Sequence, residues 1–262
     1  MVDIICFGSK NPHPMIQYLD ELKDYKLLWH ITITGFKKDV EVNVQNIDDV
    51  IKDFITISNK LGKQSVIWRY TPIYTNEKYT IEYHIKAFSY IAEKLKGYTN
   101  VAIFGLIDLY DKLKRIHPEI MDCRDEDKVL ICQEFLKIAK RNDMELRLCS
   151  KEKWLEEYGV DINGCIRISD YEKVIGEKLI IKQSTSGRKN YCSCYLANDI
   201  GAYNSCLHFC KYCYANDIPE KVKANYCLHD DNSPFLIGKS NVDDIVKEIN
   251  QVSNKDLQIR LF

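Results

Sequence analysis

The chain has 262 residues, enough for one large domain, or a domain with an appendage, that buries a substantial core. Its 37 Lys and Arg residues nearly balance its 38 Asp and Glu residues, so the net charge offers no global attraction to nucleic acid or anionic lipid. A signal-peptide pattern and any apolar run of about 18 residues are missing, which predicts a cytoplasmic protein without a membrane span. In that compartment the 11 cysteines are expected to be thiols that are available to metal.

Strand-like and helix-like patterns alternate along the first part of the chain. Apolar or alternating runs predict five strands, at residues 3–8, 27–34, 65–70, 101–107 and 145–149. Helical periodicity predicts helices at residues 14–23, 46–61, 81–96 and 126–141, and a short one around Trp154. Strand–helix units joined by short loops indicate a parallel β/α architecture.

The predicted fold is a partial or closed, TIM-like β/α barrel, and a doubly wound open sheet is the alternative. The polar alternation of the second strand favours a barrel with a partly polar lumen, although a satisfied polar core is the preferred interpretation of His30 and Thr32 themselves. The first strand begins almost at residue 1, and such a barrel needs at least one more strand. A fragment or an N-terminally truncated chain is therefore one interpretation of the sequence.

The pattern changes after residue 181. A polar loop leads into a cysteine-rich segment, residues 217–240 look irregular, and apolar periodicity predicts a last helix from about Asn241. We therefore expect a barrel-like region at 1–181 and a cysteine-rich iron–sulfur segment at 182–262, packed together as one unit.

Three cysteines in that segment have C-x3-C-x2-C spacing, namely Cys206, Cys210 and Cys213. Three thiolates on one short loop can hold three irons of a [4Fe–4S] cluster and leave the fourth iron open to a ligand. Structural zinc is the alternative, but zinc sites usually combine two closely spaced cysteine pairs. The spacing therefore favours an open-site cluster.

Four more cysteines are candidates for a second metal site, either a fully ligated auxiliary cluster or zinc: Cys149, Cys165, Cys192 and Cys194. The alternative is that the first two are ordinary small buried residues. The remaining cysteines are interpreted as structural, in a buried strand, on a helix face or without a partner at ligand spacing: Cys6, Cys132, Cys123 and Cys227.

Polar residues at strand ends are further candidates, because active sites of β/α barrels collect at the carboxyl ends of the strands. They are Lys10, Asn11, Arg69, Tyr70, Asp108 and Tyr110. Lys10 and Arg69 could hold a carboxylate or a phosphate. A salt bridge from Arg69 to Asp108 is the alternative. The pair Arg188-Lys189 could meet a phosphate or could simply be solvated.

The motif C-x3-C-x-aromatic-C resembles the signature of the radical S-adenosylmethionine (SAM) enzymes. The resemblance implies that the open iron chelates the amino and carboxylate groups of S-adenosylmethionine, and that one electron cleaves the cofactor to a 5′-deoxyadenosyl radical. It also places Tyr212 near the adenine. The sequence Tyr212-Cys213-Tyr214 is similar to that of spore photoproduct lyase and related repair-type enzymes.

A broader resemblance, to the bacterial family called domain of unknown function (DUF) 1848, runs along the whole chain. Its hallmarks are matched by Ser9-Lys10-Asn11-Pro12, Trp68-Arg69-Tyr70-Thr71-Pro72, Cys192-Ser193-Cys194, the segments 199–206 and 210–216, and Leu261-Phe262. In the radical SAM enzymes the cysteine loop follows the first barrel strand, whereas here it follows the whole predicted barrel.

These observations together predict a radical SAM-like iron–sulfur oxidoreductase. Its cofactor-binding candidates are Tyr212, Lys10, Asn11, Arg69 and Asp108, and its partner is a low-potential electron donor of flavodoxin or ferredoxin type. Two alternatives come from other classes: a metal-stabilised, repair-associated nucleic-acid-binding module, and an electron-transfer protein with a fully ligated cluster. No motif indicates the substrate.

Overall fold

The computed structural model describes residues 2–181, 193–195, 199–245, 247–248 and 250–256. Its centre is an all-parallel sheet of five strands in sequential order: β1 (Ile5–Ser9), β2 (Leu27–Thr32), β3 (Val66–Ile73), β4 (Val101–Leu106) and β5 (Glu145–Leu148). Within the described residues the sheet is open, with β1 and β5 at its edges. The predicted parallel α/β architecture is therefore confirmed, and the described strands do not close a barrel.

Seven helices are described around this sheet: α1 (His13–Ile16), α2 (Ile47–Leu61), α3 (Ile81–Leu95), α4 (Asp111–Ile116), α5 (Asp125–Arg141), α6 (Ile168–Ile175) and α7 (Pro219–Cys227). Short 3-10 turns lie at Lys63–Ser65 and Lys153–Tyr158. No helix in the described part of the chain is long and apolar enough to cross a membrane.

The main core lies between the sheet and helices α2, α3 and α5. Phe88 of α3 is its centre, since its ring stacks on Phe135 at 3.8 Å and on Trp68 at 4.5 Å between ring centroids. The indole nitrogen of Trp68 donates to the Ile33 carbonyl at 3.0 Å. Burial of this aromatic stack holds the helices on one face of the sheet.

The opposite face of the sheet carries a second, smaller core. Its buried members are Leu28, Ile67, Val101, Ile103, Cys165, Tyr171, Ile175 and Cys194. Helix α6 is held there by Asp170, whose carboxylate accepts two hydrogen bonds from Arg147 of β5 at 2.5 and 3.0 Å. His30 is also buried, but neither of its ring nitrogens has a hydrogen-bond partner among the described residues, so the satisfied polar core predicted for it is not found. This face is therefore covered by the later part of the chain.

Two predicted helices differ in the structure, and two short helices, α4 and α7, were not predicted. The helix predicted at 14–23 is only α1, because the residues after it make i to i−3 turn bonds, as from Tyr25 to Leu22. The helix predicted from Asn241 is absent in the described residues, where Val242 and Ile245 are exposed: an apolar stripe without a surface to pack on does not sustain a helix. Helix α7 was not predicted; Pro219 stands at its start and its Val222 is fully buried.

Candidate functional site

The cysteine loop, defined here as residues 204–217, is fastened to the segment that follows β2. Glu41 and Cys210 form an antiparallel bridge, and the Lys211 amide donates to the Val40 carbonyl at 3.0 Å. The Asn43 amide donates to the His208 carbonyl at 3.0 Å. Because the segment around residue 41 leaves the carboxyl end of β2, these bonds place the cysteine loop at the edge of the sheet where ligand sites of parallel α/β proteins lie.

The side chain of Glu41 joins the cysteine loop to two strands. This carboxylate is buried, and it accepts hydrogen bonds from Lys10 after β1 at 2.9 Å, from Thr34 after β2 at 2.6 Å, and from the hydroxyl of Tyr212. We call these four residues the Glu41 network. Sequence reasoning found Lys10 and Tyr212 but missed Glu41, for which one acid between two valines is a weak signal.

Tyr212 is the residue of the cysteine loop whose side chain reaches Glu41. Burial, together with the nearby charge of Glu41, raises the pKa of Tyr212 well above its ordinary value, so its hydroxyl stays protonated and donates. Its ring lies against Phe36, with 5.7 Å between centroids, and the Lys10 ammonium lies 5.6 Å from its centroid. The side chain predicted to lie near an adenine is therefore an anchor of the cysteine loop.

The loop also has internal bonds that preset its shape. The Asn216 side chain donates to the Cys206 carbonyl at 2.7 Å, and the Cys213 amide donates to the Cys210 carbonyl at 3.0 Å. At its base, the Asn204 side chain donates to Asp217 at 3.0 Å. These bonds bring the two ends of the loop together, so the three cysteines lie on one compact turn.

The three thiols of the loop differ in exposure: Cys206 is exposed, whereas Cys210 and Cys213 are half-buried. Burial raises the pKa of the Cys210 thiol to about 12 and also raises the pKa of Cys206, and the charge of Cys213 adds to both shifts. A thiophilic metal centre would have to displace their protons, and three neighbouring thiols on one turn are a donor set that fits an iron–sulfur cluster.

A cavity of about 250 Å³ opens beside the loop, between it and helix α4. Cys210, Cys213 and Phe209 line it from the loop side, and Lys112 and His117 line it from α4. Its volume is just below the range of roughly 300–1,000 Å³ that is usual for ligand pockets. A small molecule held there would contact two of the three thiols.

The structure also brings together three of the four cysteines predicted to hold a second metal. The Sγ atom of Cys165 lies 3.2 Å from that of Cys149 and 3.2 Å from that of Cys194. Cys192 lies outside the described residues. The contacts with the two neighbouring thiols, together with the charge of Arg69, lower the pKa of Cys165. We call Cys149, Cys165 and Cys194 the three-cysteine cluster.

Arg69 points at this cluster and not at a carboxylate. One of its guanidinium nitrogens donates to Cys149 Sγ at 3.4 Å. Burial opposes its charge, but the sulfurs of Cys149 and Cys165 keep the pKa of Arg69 above its ordinary value. The alternative of a salt bridge with Asp108 is wrong, since Asp108 pairs with Lys151 at 3.7 Å. Arg69 lies on β3 and Asp108 follows β4, and each has a different partner, so strand-end position alone did not predict the pairing.

Other predicted residues fall in different places. The side-chain oxygen of Asn11 is buried with no hydrogen-bond partner in the described structure, and the rings of Tyr110 and Tyr214 lie 5.9 Å apart. Tyr70 is not part of the site: it is buried in the main core and bonded to His84 at 2.9 Å. Cys6 is exposed, because β1 is an edge strand, and not buried as predicted. Arg188-Lys189 lie outside the described residues.

Within the residues that the structure describes, no group of three or more His, Cys, Asp or Glu side chains is already spaced to hold a metal ion, so either group of thiols would have to rearrange to bind one. None of the described cysteines is in a disulfide. The thiols of the cysteine loop and of the three-cysteine cluster are thus two separate groups of reduced sulfur, on different parts of the fold.

Comparisons with known proteins complete these observations. No curated protein matches the chain. One solved structure, a crystal structure of the IOLI protein with a binding zinc atom, has a TM-score of 0.33 and 13% identity, over 56% of this chain and 51% of that one. The chain thus spans about half the length of that neighbour. A family match covers residues 1–215, which include every described strand, the three-cysteine cluster and the three cysteines of the cysteine loop, and it confirms the resemblance noted in the sequence. The chain belongs to the family described as domain of unknown function DUF1848.

Proposed function

We propose that this protein is a radical SAM-like iron–sulfur enzyme whose [4Fe–4S] cluster is held by Cys206, Cys210 and Cys213. The observation that carries the proposal is the attachment of the cysteine loop to the carboxyl edge of the parallel sheet through Glu41. A structural metal could be bound anywhere on the surface, whereas a reactive centre at the carboxyl edge of the sheet is enclosed by the loops that follow the strands. When bound, the cluster would supply one electron for the cleavage of S-adenosylmethionine.

The residues around the thiols then have separable tasks. The Glu41 network holds the turn rigid, because its carboxylate bonds to three other elements of the chain at once. The cavity beside Cys210 and Cys213 would receive the sulfonium cofactor or the substrate, with Phe209 as an apolar wall. Lys112 donates to the Asn216 carbonyl and so closes the cavity from the side of α4.

We also propose that the sheet is part of a partial TIM-like barrel and that the protein works in the cytoplasm. Sequential order of five parallel strands, without a reversal, favours a partial TIM-like barrel over a doubly wound sheet, since crossovers of one hand then place the main helices on one face. A cluster of this type works in a reducing cytoplasm and takes its electron from a flavodoxin- or ferredoxin-like donor.

The test is anaerobic reconstitution of the full chain with iron and sulfide, reduction, and addition of S-adenosylmethionine. We expect 5′-deoxyadenosine to form and the electron paramagnetic resonance (EPR) signal of the reduced cluster to change. Cys210→Ala is expected to abolish both results. Cys227→Ala removes an exposed thiol at the end of α7 and serves as the matched control that retains them.

The other two functions predicted from the sequence are outcomes of the same experiment. A reduced cluster whose EPR signal ignores S-adenosylmethionine would indicate electron transfer. A protein that takes up zinc in place of iron and shifts a labelled oligonucleotide in a salt-dependent manner would indicate a nucleic-acid-binding module. Either result would overturn the proposed enzyme.

A further inference from the structure

The three-cysteine cluster lies on the other face of the sheet from the main core, and three separate segments contribute to it. Cys149 follows β5, Cys165 precedes α6, and Cys194 lies in the short described segment 193–195. Besides the two sulfur contacts of 3.2 Å, the backbone amide of Cys165 donates to Cys194 Sγ at 3.2 Å. Amide donation to sulfur is the second shell that supports a metal-bound thiolate.

The backbone at Gly164 is shaped for this meeting of segments. Gly164 has φ of +95°, and a Cβ atom there would lie 2.9 Å from the backbone carbonyl carbon and oxygen of Ser193 and 3.1 Å from the amide nitrogen of Cys194. Real side chains do not tolerate such contacts, so only glycine lets the segment before Cys165 approach the segment before Cys194. The two segments thus form a closely packed junction, which brings the thiols of Cys165 and Cys194 together.

The positive charge of Arg69 indicates that the group formed at the three thiols carries a negative charge. The half-buried guanidinium of Arg69 donates to Cys149 Sγ at 3.4 Å, and no carboxylate of the described residues forms an ion pair with it. A guanidinium that is removed from water costs several kcal/mol unless an anion balances it. Three thiolates and one divalent cation carry a net charge of −1, which one guanidinium cancels.

We propose that the three-cysteine cluster binds one thiophilic divalent metal ion of the zinc class, and that Arg69 balances its charge from outside the coordination shell. Sulfur atoms on a tetrahedral zinc ion are about 3.8 Å apart, as follows from a zinc–sulfur bond of roughly 2.3 Å. The sulfurs therefore separate by about 0.6 Å on binding, and one coordination position is left for a ligand that the three thiols do not supply. This site is independent of the proposed function, because it shares no residue with the cysteine loop.

The experiment uses the full chain in which Cys206, Cys210 and Cys213 are all replaced by serine, so that the cysteine loop contributes no thiolate. The metal-free protein is titrated anaerobically with Co²⁺, whose sulfur-to-metal charge-transfer band reports thiolate ligands and whose visible bands report tetrahedral geometry. We expect one Co²⁺ per chain, displaced by one Zn²⁺.

Four substitutions in that background test the assignment. Cys165→Ser is expected to abolish the charge-transfer band, whereas Cys132→Ser, at a buried thiol of the main core, is expected to leave it unchanged. Gly164→Ala should weaken Co²⁺ binding, because its Cβ would push the segment before Cys165 away from Ser193. Arg69→Met should weaken it by about 10–100-fold, as is usual for an outer-shell partner, and Arg69→Lys should recover part of that loss because the charge is kept.

The proposal is overturned if the folded triple-serine protein, checked by circular dichroism, shows no thiolate band with Co²⁺, or if Cys165→Ser retains the band. Uptake of iron and sulfide instead of one Co²⁺ or Zn²⁺ would equally overturn it in favour of a cluster. None of these readouts uses S-adenosylmethionine, so failure here is distinguishable from failure of the proposed enzyme.

Discussion

Replacing Glu41 by Gln keeps the size of a buried side chain but removes the charge that holds the cysteine loop on the sheet. The amide oxygen can take the place of Oε1, which accepts all three hydrogen bonds, but it carries no charge to balance the Lys10 ammonium. Among the described residues Glu41 is the ion-pair partner of Lys10, so Lys10 loses that partner and keeps little access to water, because its side chain is 15% exposed. Loss of one partner of a buried ion pair costs about 3–5 kcal/mol, and the partial exposure of Lys10 places Glu41→Gln near 3 kcal/mol.

The substitution should lower the free energy needed to detach the cysteine loop from the sheet, because the Glu41 network joins the loop to the ends of β1 and β2. It should leave the stability of the main core unchanged. The assay is hydrogen exchange of backbone amides. Asn43 and Lys211 carry the amides that bond across the junction, to His208 and Val40. About 3 kcal/mol corresponds to exchange that is roughly 100-fold faster at these two amides.

A double-mutant cycle with Tyr212→Phe sharpens the test. Loss of a hydrogen bond to a charged acceptor costs about 2 kcal/mol, which is the loss expected for Tyr212→Phe alone. Because the two side chains touch, the double variant should lose about 1 kcal/mol less than the sum of the two single losses. The matched control is Tyr90→Phe, whose hydroxyl donates to Asp48 at 2.5 Å on an exposed surface, and which should leave exchange unchanged. Equal acceleration of the Ile103 amide, in the buried sheet, would refute the reasoning, and so would no acceleration at Lys211.

Three further predictions concern the sheet and its core, and urea denaturation measures each of them. Gly105→Ala should destabilise by about 1–3 kcal/mol, since its Cβ would lie 2.7 Å from the Cys149 carbonyl oxygen, whereas Gly8→Ala meets nothing within 4 Å and should be neutral. Phe88→Ala should cost about 3–5 kcal/mol, because it removes the centre of the aromatic stack. Burial lowers the pKa of His84 to about 4, below the ordinary 6.5, so the unfolded chain takes up a proton first. Stability should therefore fall as the pH drops from 6.5 towards 4, by about 3 kcal/mol in all from this residue.

Each of these predictions has an outcome that would contradict it. Equal destabilisation by the two glycine substitutions would mean that the contact at Gly105 is not the cause. Phe88→Leu should retain most of the stability that Phe88→Ala loses; equal losses would argue against a packing origin. His84→Gln should be less stable than the parent at pH 7 but should lose less on acidification, and an unchanged pH slope would assign the effect to other groups.

Local patterns were enough to predict much of the fold. The five strands were found because buried parallel strands read as apolar runs, and helices α2, α3 and α5 were found because a helix that packs on a sheet repeats its apolar residues every three or four positions. The same reasoning failed at the predicted helix from Asn241, where periodicity exists but no partner surface covers Val242. Periodicity predicts a face that could be buried, and only packing buries it.

The candidate site divides in the same way. The spacing of Cys206, Cys210 and Cys213 is a property of the sequence, since three thiols within eight positions must lie close together in any fold. The role of Glu41 cannot be inferred from the sequence, because its hydrogen bond with Tyr212 joins residues that are 171 positions apart. Such a contact depends on how the crossovers stack the strands, and no local pattern carries that information.

By itself the sequence determined the strand–helix alternation, the thiols of the cysteine loop and the family to which the chain belongs. Only the tertiary structure decided that the loop lies at the carboxyl edge of the sheet and that Arg69 faces Cys149 in place of Asp108. The physical reason is that a side chain's partner is set by register, by burial and by the need to balance a buried charge. These conditions are met only once distant segments have packed together.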